Sequence, residues 1–312
     1  MNKDLLKLSD LNKDDIIEIL DLADQLKYEL KHDIPHHYLS GKILGMIFQK
    51  SSTRTRVSFE AGMFQLGGSG MFLSSRDLQI GRGEPIEDTA RVLSRYVDAI
   101  MIRTYDQEEV ETLAKYSSIP IINGLTDEAH PCQVLADLMT IREYKRKIEG
   151  LKVCYIGDGN NMANSLMVGC ATLGMDIWVA CPKGYEPMTK YTEIATERAN
   201  KENCKVVITD NIQEAAKDAD VLITDVWASM GQEEEIAKRK VIFKDYQINE
   251  NIMSIAKDNA IILHCLPAHK GEEITADVFE KHSEEIFDEA ENRLHAQKAV
   301  LVKLISKTNL RG

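Results

Sequence analysis

No apolar run in this 312-residue chain approaches the ~18 residues that a membrane span requires. The opening MNKDLLKLSD is charged and lacks the apolar centre of a secretory signal, so a cytoplasmic location is expected. Cysteines are scattered: Cys132, Cys154, Cys170, Cys181, Cys204 and Cys265 include no C-x-x-C pair. That argues against a disulfide framework or a thiolate zinc site and for reduced thiols in a cytosolic protein. Of eight histidines only His32 and His36 stand at helical spacing, and Pro35 interrupts a helix there, so no metal site is expected. Positive charge is also short. With 38 Lys plus Arg against 50 Asp plus Glu, the net charge is −12, and no broad basic face remains for nucleic acid or an anionic membrane. A local anion site needs only a few cations and is not excluded. Fixed-period repeats and low-complexity tracts are missing too.

What is present is the balance of a globular protein, 44% apolar and 28% charged. At roughly 100–200 residues per domain, the length suggests two domains. Residues 13–32 carry Ile16, Ile17, Ile19, Leu20, Ala23, Leu26 and Leu30, mostly at helical spacing, behind the cap Asn12. Short apolar runs follow at Ile43–Phe48, Met71–Leu73, Ala99–Ile102, Pro120–Ile122, Val153–Ile156, Ile177–Ala180, Val206–Ile208, Val221–Thr224 and Ile261–Leu263. Helical periodicity fills most of the gaps. The alternation predicts an α/β fold of two domains, each a parallel sheet with helices on both faces, with the active site in the cleft between them. The charged stretch Glu143–Gly150 is the natural break, and Glu289–Ser306 reads as a final helix belonging to either half.

Chemistry gathers at the ends of these predicted strands. Phe48-Gln-Lys-Ser-Ser52-Thr53-Arg54-Thr55-Arg56 leaves a strand and opens a helix that runs to Gly67-Gly68. Hydroxyls and guanidinium groups on a first helical turn join its orphan N–H groups and positive dipole end, which makes an anion site. The plain alternative is a helix cap followed by solvated arginines. Arg103 ends a strand, His130-Pro131-Cys132-Gln133 opens a helix, and Gln79-Ile-Gly81-Arg82-Gly83-Glu84 is a glycine-flexed loop suited to closing over a ligand.

In the second half, Gly157-Asp158-Gly159-Asn160-Asn161 approaches the dinucleotide fingerprint. Met162 stands where the third glycine belongs, and no acid ends the next strand. The segment is then either a tight strand–helix turn or a place where Asn161 faces a ligand. Asp225-Val-Trp-Ala-Ser229-Met230-Gly231 puts a carboxylate at a strand end, placed to hold an ammonium group. His264-Cys265-Leu266-Pro267 offers a thiol, but neighbouring strand residues face opposite sides, so His264 is poorly placed as its base.

Together, F-x-K-x-S-T-R-T-R at Phe48–Arg56, the H-P-C-Q ending at Gln133, and H-C-L-P-A at His264–Ala268 resemble the transcarbamylase family. The segment Asp225–Gly231 is similar to the amino-acid motif of the family's ornithine branch, and the resemblance runs from Asp4 to Asp288-Glu-Ala-Glu-Asn-Arg293. It implies transfer of the carbamoyl group of carbamoyl phosphate to the δ-amine of ornithine, giving citrulline and phosphate, within arginine metabolism. It further implies that residues 1–147, with a C-terminal helix at about 289–312, bind carbamoyl phosphate, and that 148–288 bind ornithine.

Residue roles follow in the same way. Ser52, Thr53, Arg54 and Thr55 would hold the phosphate with Arg103 and, from a neighbouring subunit, Gln79. His130 and Gln133 would bind the carbamoyl group, Cys265 and Leu266 would line the reacting centre, and Arg293 would complete the carbamoyl phosphate site. Asn161, Asp225, Ser229 and Met230 would bind ornithine. Of these, Arg54, Arg103, His130 and Cys265 would serve catalysis. The resemblance also implies a homotrimer or a multiple of trimers, and the chemistry requires no metal or organic cofactor. Competing expectations are a transcarbamylase for putrescine, a nucleotide-dependent dehydrogenase and a non-catalytic binding protein.

Overall fold

The computed structural model describes residues 3–76, 78, 83–228 and 235–308, the last two without their side chains. The chain forms two compact units, residues 1–135 with 292–312, and residues 136–291. In the first, α1 (Lys13–Lys31) leads to β1 (Ile43–Phe48), α2 (Thr53–Gln65), β2 (Ser69–Ser74), α3 (Ile86–Leu93), β3 (Ala99–Arg103), α4 (Gln107–Tyr116), β4 (Ile121–Leu125) and the opening turn of α5 (Pro131–Lys145), which continues into the second. The cap predicted at Asn12 is present, and the structure adds a reciprocal bond: Asn12 Oδ1 accepts from Asp15 N at 2.8 Å, and Asp15 Oδ2 from Asn12 N at 3.2 Å.

The strands form a parallel sheet of order β2-β1-β3-β4. Ile47, Ile100, Ile102 and Ile121 bury its apolar face with Val110 and Leu113 of α4. The strand order reverses direction between β1 and β3, where Phe48 pairs with Arg103 at the carboxyl ends. Open α/β sheets bind ligands at such a reversal. At one edge Leu5 bridges to Ile122 beside β4; β2 is the other edge.

The second unit runs β5 (Lys152–Ile156), α6 (Asn161–Thr172), β6 (Asp176–Ala180), α7 (Thr189–Glu202), β7 (Val206–Thr209), α8 (Ile212–Ala216), β8 (Val221–Thr224), α9 (Ile236–Phe243), α10 (Glu250–Met253), β9 (Ile261–His264) and α11 (Ala276–Lys281). Its parallel sheet has the order β7-β6-β5-β8-β9, and its reversal lies between β5 and β8, where Ile156 pairs with Thr224. Trp227, Phe243, Tyr246 and Phe279 pack with Ile156, Leu222 and Ile262 in its core. Finally, α12 (Ser283–Thr308) starts in this unit and from Asn292 onward belongs to the first.

The expected strand–helix alternation is therefore the observed architecture. Differences are local and have causes. β2 is longer than its apolar run because Ser69 and Ser74 pair with Ile43 and Phe48 through backbone alone. β4 continues through Asn123, whose side chain donates to Leu6 O at 2.8 Å and to Gln107 Oε1 at 3.2 Å. Lys145 ends α5 within the charged stretch, while the division between the compact units falls upstream, inside that helix.

Candidate active site

In the first unit, Ser52 is the N-cap of α2, its Oγ accepting from Thr55 N at 3.2 Å. The Thr55 hydroxyl oxygen is where the cluster converges. Ser52 Oγ donates to it at 3.1 Å, Arg103 Nη1 at 3.4 Å and Arg293 Nη2 at 3.3 Å. Arg293 Nη1 also donates to Gln133 Oε1 at 2.6 Å. In the amide orientation that satisfies its neighbours, Gln297 accepts from Arg293 Nε and Nη2 at 3.1 and 3.0 Å and donates to Ser58. Two guanidinium groups are thus fixed over the first turn of a helix, at the reversal of a parallel sheet.

Thr53 and Arg54 occupy that same turn. Arg56 leaves it, binding Glu60 Oε1 at 3.1 Å and stacking 3.8 Å from the centre of the Phe72 ring. His130 is buried next to the cluster. Burial, then the charges of Arg293, Arg103 and Arg54, hold its imidazole well below the ordinary range, so the ring is neutral. A neutral imidazole beside fixed cations can donate to a carbonyl oxygen while the cations hold an anion.

In the second unit, Asp225 follows β8 and lies buried within a ring of donors. Its Oδ1 accepts from Cys265 Sγ at 3.0 Å and Val226 N at 2.8 Å, and its Oδ2 from Asn160 Nδ2 at 2.9 Å. Burial and the Asp225 carboxylate push the Cys265 thiol well above its ordinary range. A protonated thiol donating to a carboxylate is no nucleophile. His264 is not its base: the ring is buried and bonded to Glu273 and to the Leu266 amide. Leu266 itself has φ 57°. Asn161 opens α6 and is buried.

Of the expected residues, the first unit brings together Ser52, Thr55, Arg103, Gln133 and Arg293, with Thr53, Arg54 and His130 at the same sheet end. The second brings together Asp225 and Cys265, with Leu266 on the loop after β9 and Asn161 on the first turn of α6. Gln79, Ser229 and Met230 lie outside the described residues.

Several neighbours were not foreseen. Asn160 caps α6 through Met162 N at 2.9 Å while holding Asp225; an Asn ahead of an apolar helix was the available signal. Lys50, buried, forms an ion pair with Asp127 and sits 4.3 Å from the Tyr105 ring centre, tying the loop after β1 to the loop before His130. Arg239 pairs with Asp158 at 2.6 Å and donates to Trp227 O at 2.9 Å. These are long-range pairings without a local pattern.

Two other readings weaken. A Cβ on Gly159 would lie 2.3 Å from the Glu186–Pro187 backbone, and its N–H donates to Tyr185 O at 2.8 Å. The glycine serves a close chain crossing rather than a pyrophosphate. Among the described residues, ligand atoms of His269, Glu272 and Glu273 lie within 4.8 Å of one another. Glu273 is bonded to His264 and His269, and Glu272 pairs with Lys240 at 2.6 Å, so contacts within the protein account for the grouping. No helix among the described residues is long and apolar enough to cross a membrane.

Residues 3–143 match the carbamoyl-P binding domain of aspartate/ornithine carbamoyltransferases, and residues 149–304 match their Asp/Orn binding domain. The chain is 55% identical over 303 residues to an ornithine carbamoyltransferase of Carboxydothermus hydrogenoformans, covering 97% of both proteins. It is 56% identical over 305 residues to that of Bacillus subtilis, covering 98% of this chain and 94% of the relative. Among solved structures, the ornithine carbamoyltransferase of Pyrococcus furiosus superposes with a TM-score of 0.92 at 54% identity, over 96% of this chain and 95% of that one. That of Thermus thermophilus superposes at 0.87 with 39% identity, over 98% and 99%. With both of its domains matched, the chain belongs to the aspartate/ornithine carbamoyltransferase family.

Proposed function

We propose that the protein transfers the carbamoyl group of carbamoyl phosphate to the δ-amine of L-ornithine, forming L-citrulline and phosphate, in arginine biosynthesis. The observation that carries this reading is the convergence of Arg103 and Arg293 on Thr55 at a capped helix N-terminus, beside neutral His130. Attack on the carbamoyl carbon builds negative charge on its carbonyl oxygen and on the leaving phosphate. Ser52, Thr53, Arg54, Thr55 and Arg103 hold the phosphate. His130, Gln133, Arg293 and Arg103 address the carbamoyl group. Removing one such preorganised donor typically costs about 3–4 kcal/mol of transition-state stabilisation.

The nucleophile must lose a proton from an ammonium whose unperturbed pKa is ~10.4. In the second unit, Asp225 takes the α-ammonium, and Asn161, Ser229 and Met230 take the carboxylate end. Cys265 and Leu266 line the reacting centre without a covalent step. No metal or organic cofactor enters this scheme.

We further propose a homotrimer in the cytoplasm. The edge strand β2 exposes Met71 and Phe72 beside Val57 and Phe64 of α2, and Phe64 is 80% exposed. The exposure of these apolar residues supports an oligomer, in which a second copy would cover them. Six free cysteines support a reducing compartment. The test mixes carbamoyl phosphate with ornithine, putrescine and aspartate in turn and measures the carbamoylated product. Citrulline is expected; carbamoylputrescine or carbamoylaspartate as the main product overturns the assignment.

A further inference from the structure

The chemistry above leaves His264 and Glu273 without a part, although both are fully buried. His264 Nδ1 lies 2.9 Å from the Leu266 backbone nitrogen, which has only a hydrogen to give. Nδ1 is therefore the bare acceptor, and the ring proton sits on Nε2, 2.9 Å from Glu273 Oε1. That same Oε1 accepts from His269 N at 2.6 Å, while Glu273 Oε2 has no hydrogen-bond partner among the described residues. The residue so held, Leu266, is in the left-handed region, which a leucine adopts only when its surroundings impose it. Between the two stands Cys265, its thiol committed to Asp225.

We propose that Glu273 and His264 are positioning residues: Glu273 fixes the Nε2–H tautomer of His264, whose bare Nδ1 holds the Leu266 N–H and so keeps Cys265 and Leu266 in the conformation that transfer requires. This rests on the carbamoyl-transfer reading above. The contact spans residue i to the N–H of i+2, which an asparagine oxygen also makes in an Asx turn. Asparagine at 264 should therefore replace the imidazole, whereas leucine should not.

The test measures kcat and KM for both substrates in full-length variants, with thermal melts and ¹⁵N NMR of the imidazoles. His264→Leu and Glu273→Leu should lower kcat about 100-fold while the KM for carbamoyl phosphate, assigned to the other unit, stays within about threefold, as a misplaced reacting group predicts. His264→Asn should recover kcat to within about tenfold of wild type. Glu273→Gln should stay within about threefold, because the amide oxygen keeps both acceptor contacts and its NH₂ replaces an oxygen with no partner among the described residues. Wild-type kcat in His264→Leu, no rescue by asparagine, or a proton on Nδ1 in the wild type overturns the proposal. Should the leucine variants not fold, the asparagine and glutamine variants and the wild-type tautomer decide it. Failure of the transfer reading appears separately, as wild-type protein that makes no citrulline.

Discussion

At the scale of single residues, the anion cluster makes sharp demands. Arg54→Ala removes a cation from the first turn of α2 without opening the core. It should lower kcat/KM about 100-fold or more with an unchanged melting temperature; a variant with near wild-type turnover and carbamoyl phosphate affinity would remove the phosphate cradle. The Cys265 thiol, protonated and bonded to Asp225, should never carry the carbamoyl group. Intact-mass spectrometry during turnover should find no carbamoylated enzyme, and Cys265→Ser should keep measurable activity. This much was legible in the sequence, because hydroxyls, arginines, H-P-C-Q and H-C-L-P declare themselves by type and by position at strand ends. Asn160, Lys50, Asp127 and Arg239 did not. Their meaning lies in partners far along the chain, such as Asp158 for Arg239, which composition and spacing do not encode.

At the scale of elements, α12 carries one source of pH dependence, as neutral His130 is another. His295 is buried in it, and burial, then the charges of Lys298 and Lys27, lower its pKa to about 3. The unfolded imidazole titrates near ~6.5, so between these values the unfolded chain binds the extra proton. Stability should therefore fall as pH drops from about 6.5 towards about 3, by on the order of a few kcal/mol. His295→Gln should flatten that slope in urea melts taken across the range; an unchanged slope would assign the acid sensitivity elsewhere. Among the turns, Gly159→Ala should be strongly destabilising, since its new methyl would strike backbone rather than a movable side chain. A melting temperature equal to that of wild type would show that the 185–187 crossing can retreat. Strand existence was readable from apolar runs, whereas the ends of β2 and β4 were not, because backbone pairing and the Asn123 side chain extend them past the apolar residues.

For the whole molecule, the expected two parallel sheets follow from alternation alone. The two strand-order reversals do not; they depend on which strands pair, and no run of residues states that. Specificity belongs to this scale. Ornithine differs from putrescine by its α-carboxylate, and buried polar groups left unpaired by an analogue discriminate by roughly 10⁴-fold. A comparison of kcat/KM for the two amines checks this, and equal use of putrescine would sink the substrate assignment. Assembly is tested by Phe72→Glu, which should shift the protein towards monomers in analytical ultracentrifugation.

The composition of the first unit has a consequence for biosynthesis. Arg293, which bridges Thr55 and Gln133, lies on α12, as do Lys298, bonded to His36 at 2.8 Å, and Asn292, bonded to Lys27 at 2.8 Å. The ribosome adds these residues only after all of 136–291 has been made. Domains usually fold in the order of their synthesis, but here the unit begun first is completed last. The uninterrupted second unit can fold while the first still awaits its closing helix. A nascent chain arrested before Arg293 would therefore carry an anion site short of one of its two converging guanidinium groups. On the proposed assignment of Arg293, full capture of carbamoyl phosphate would wait until translation has run past the second unit.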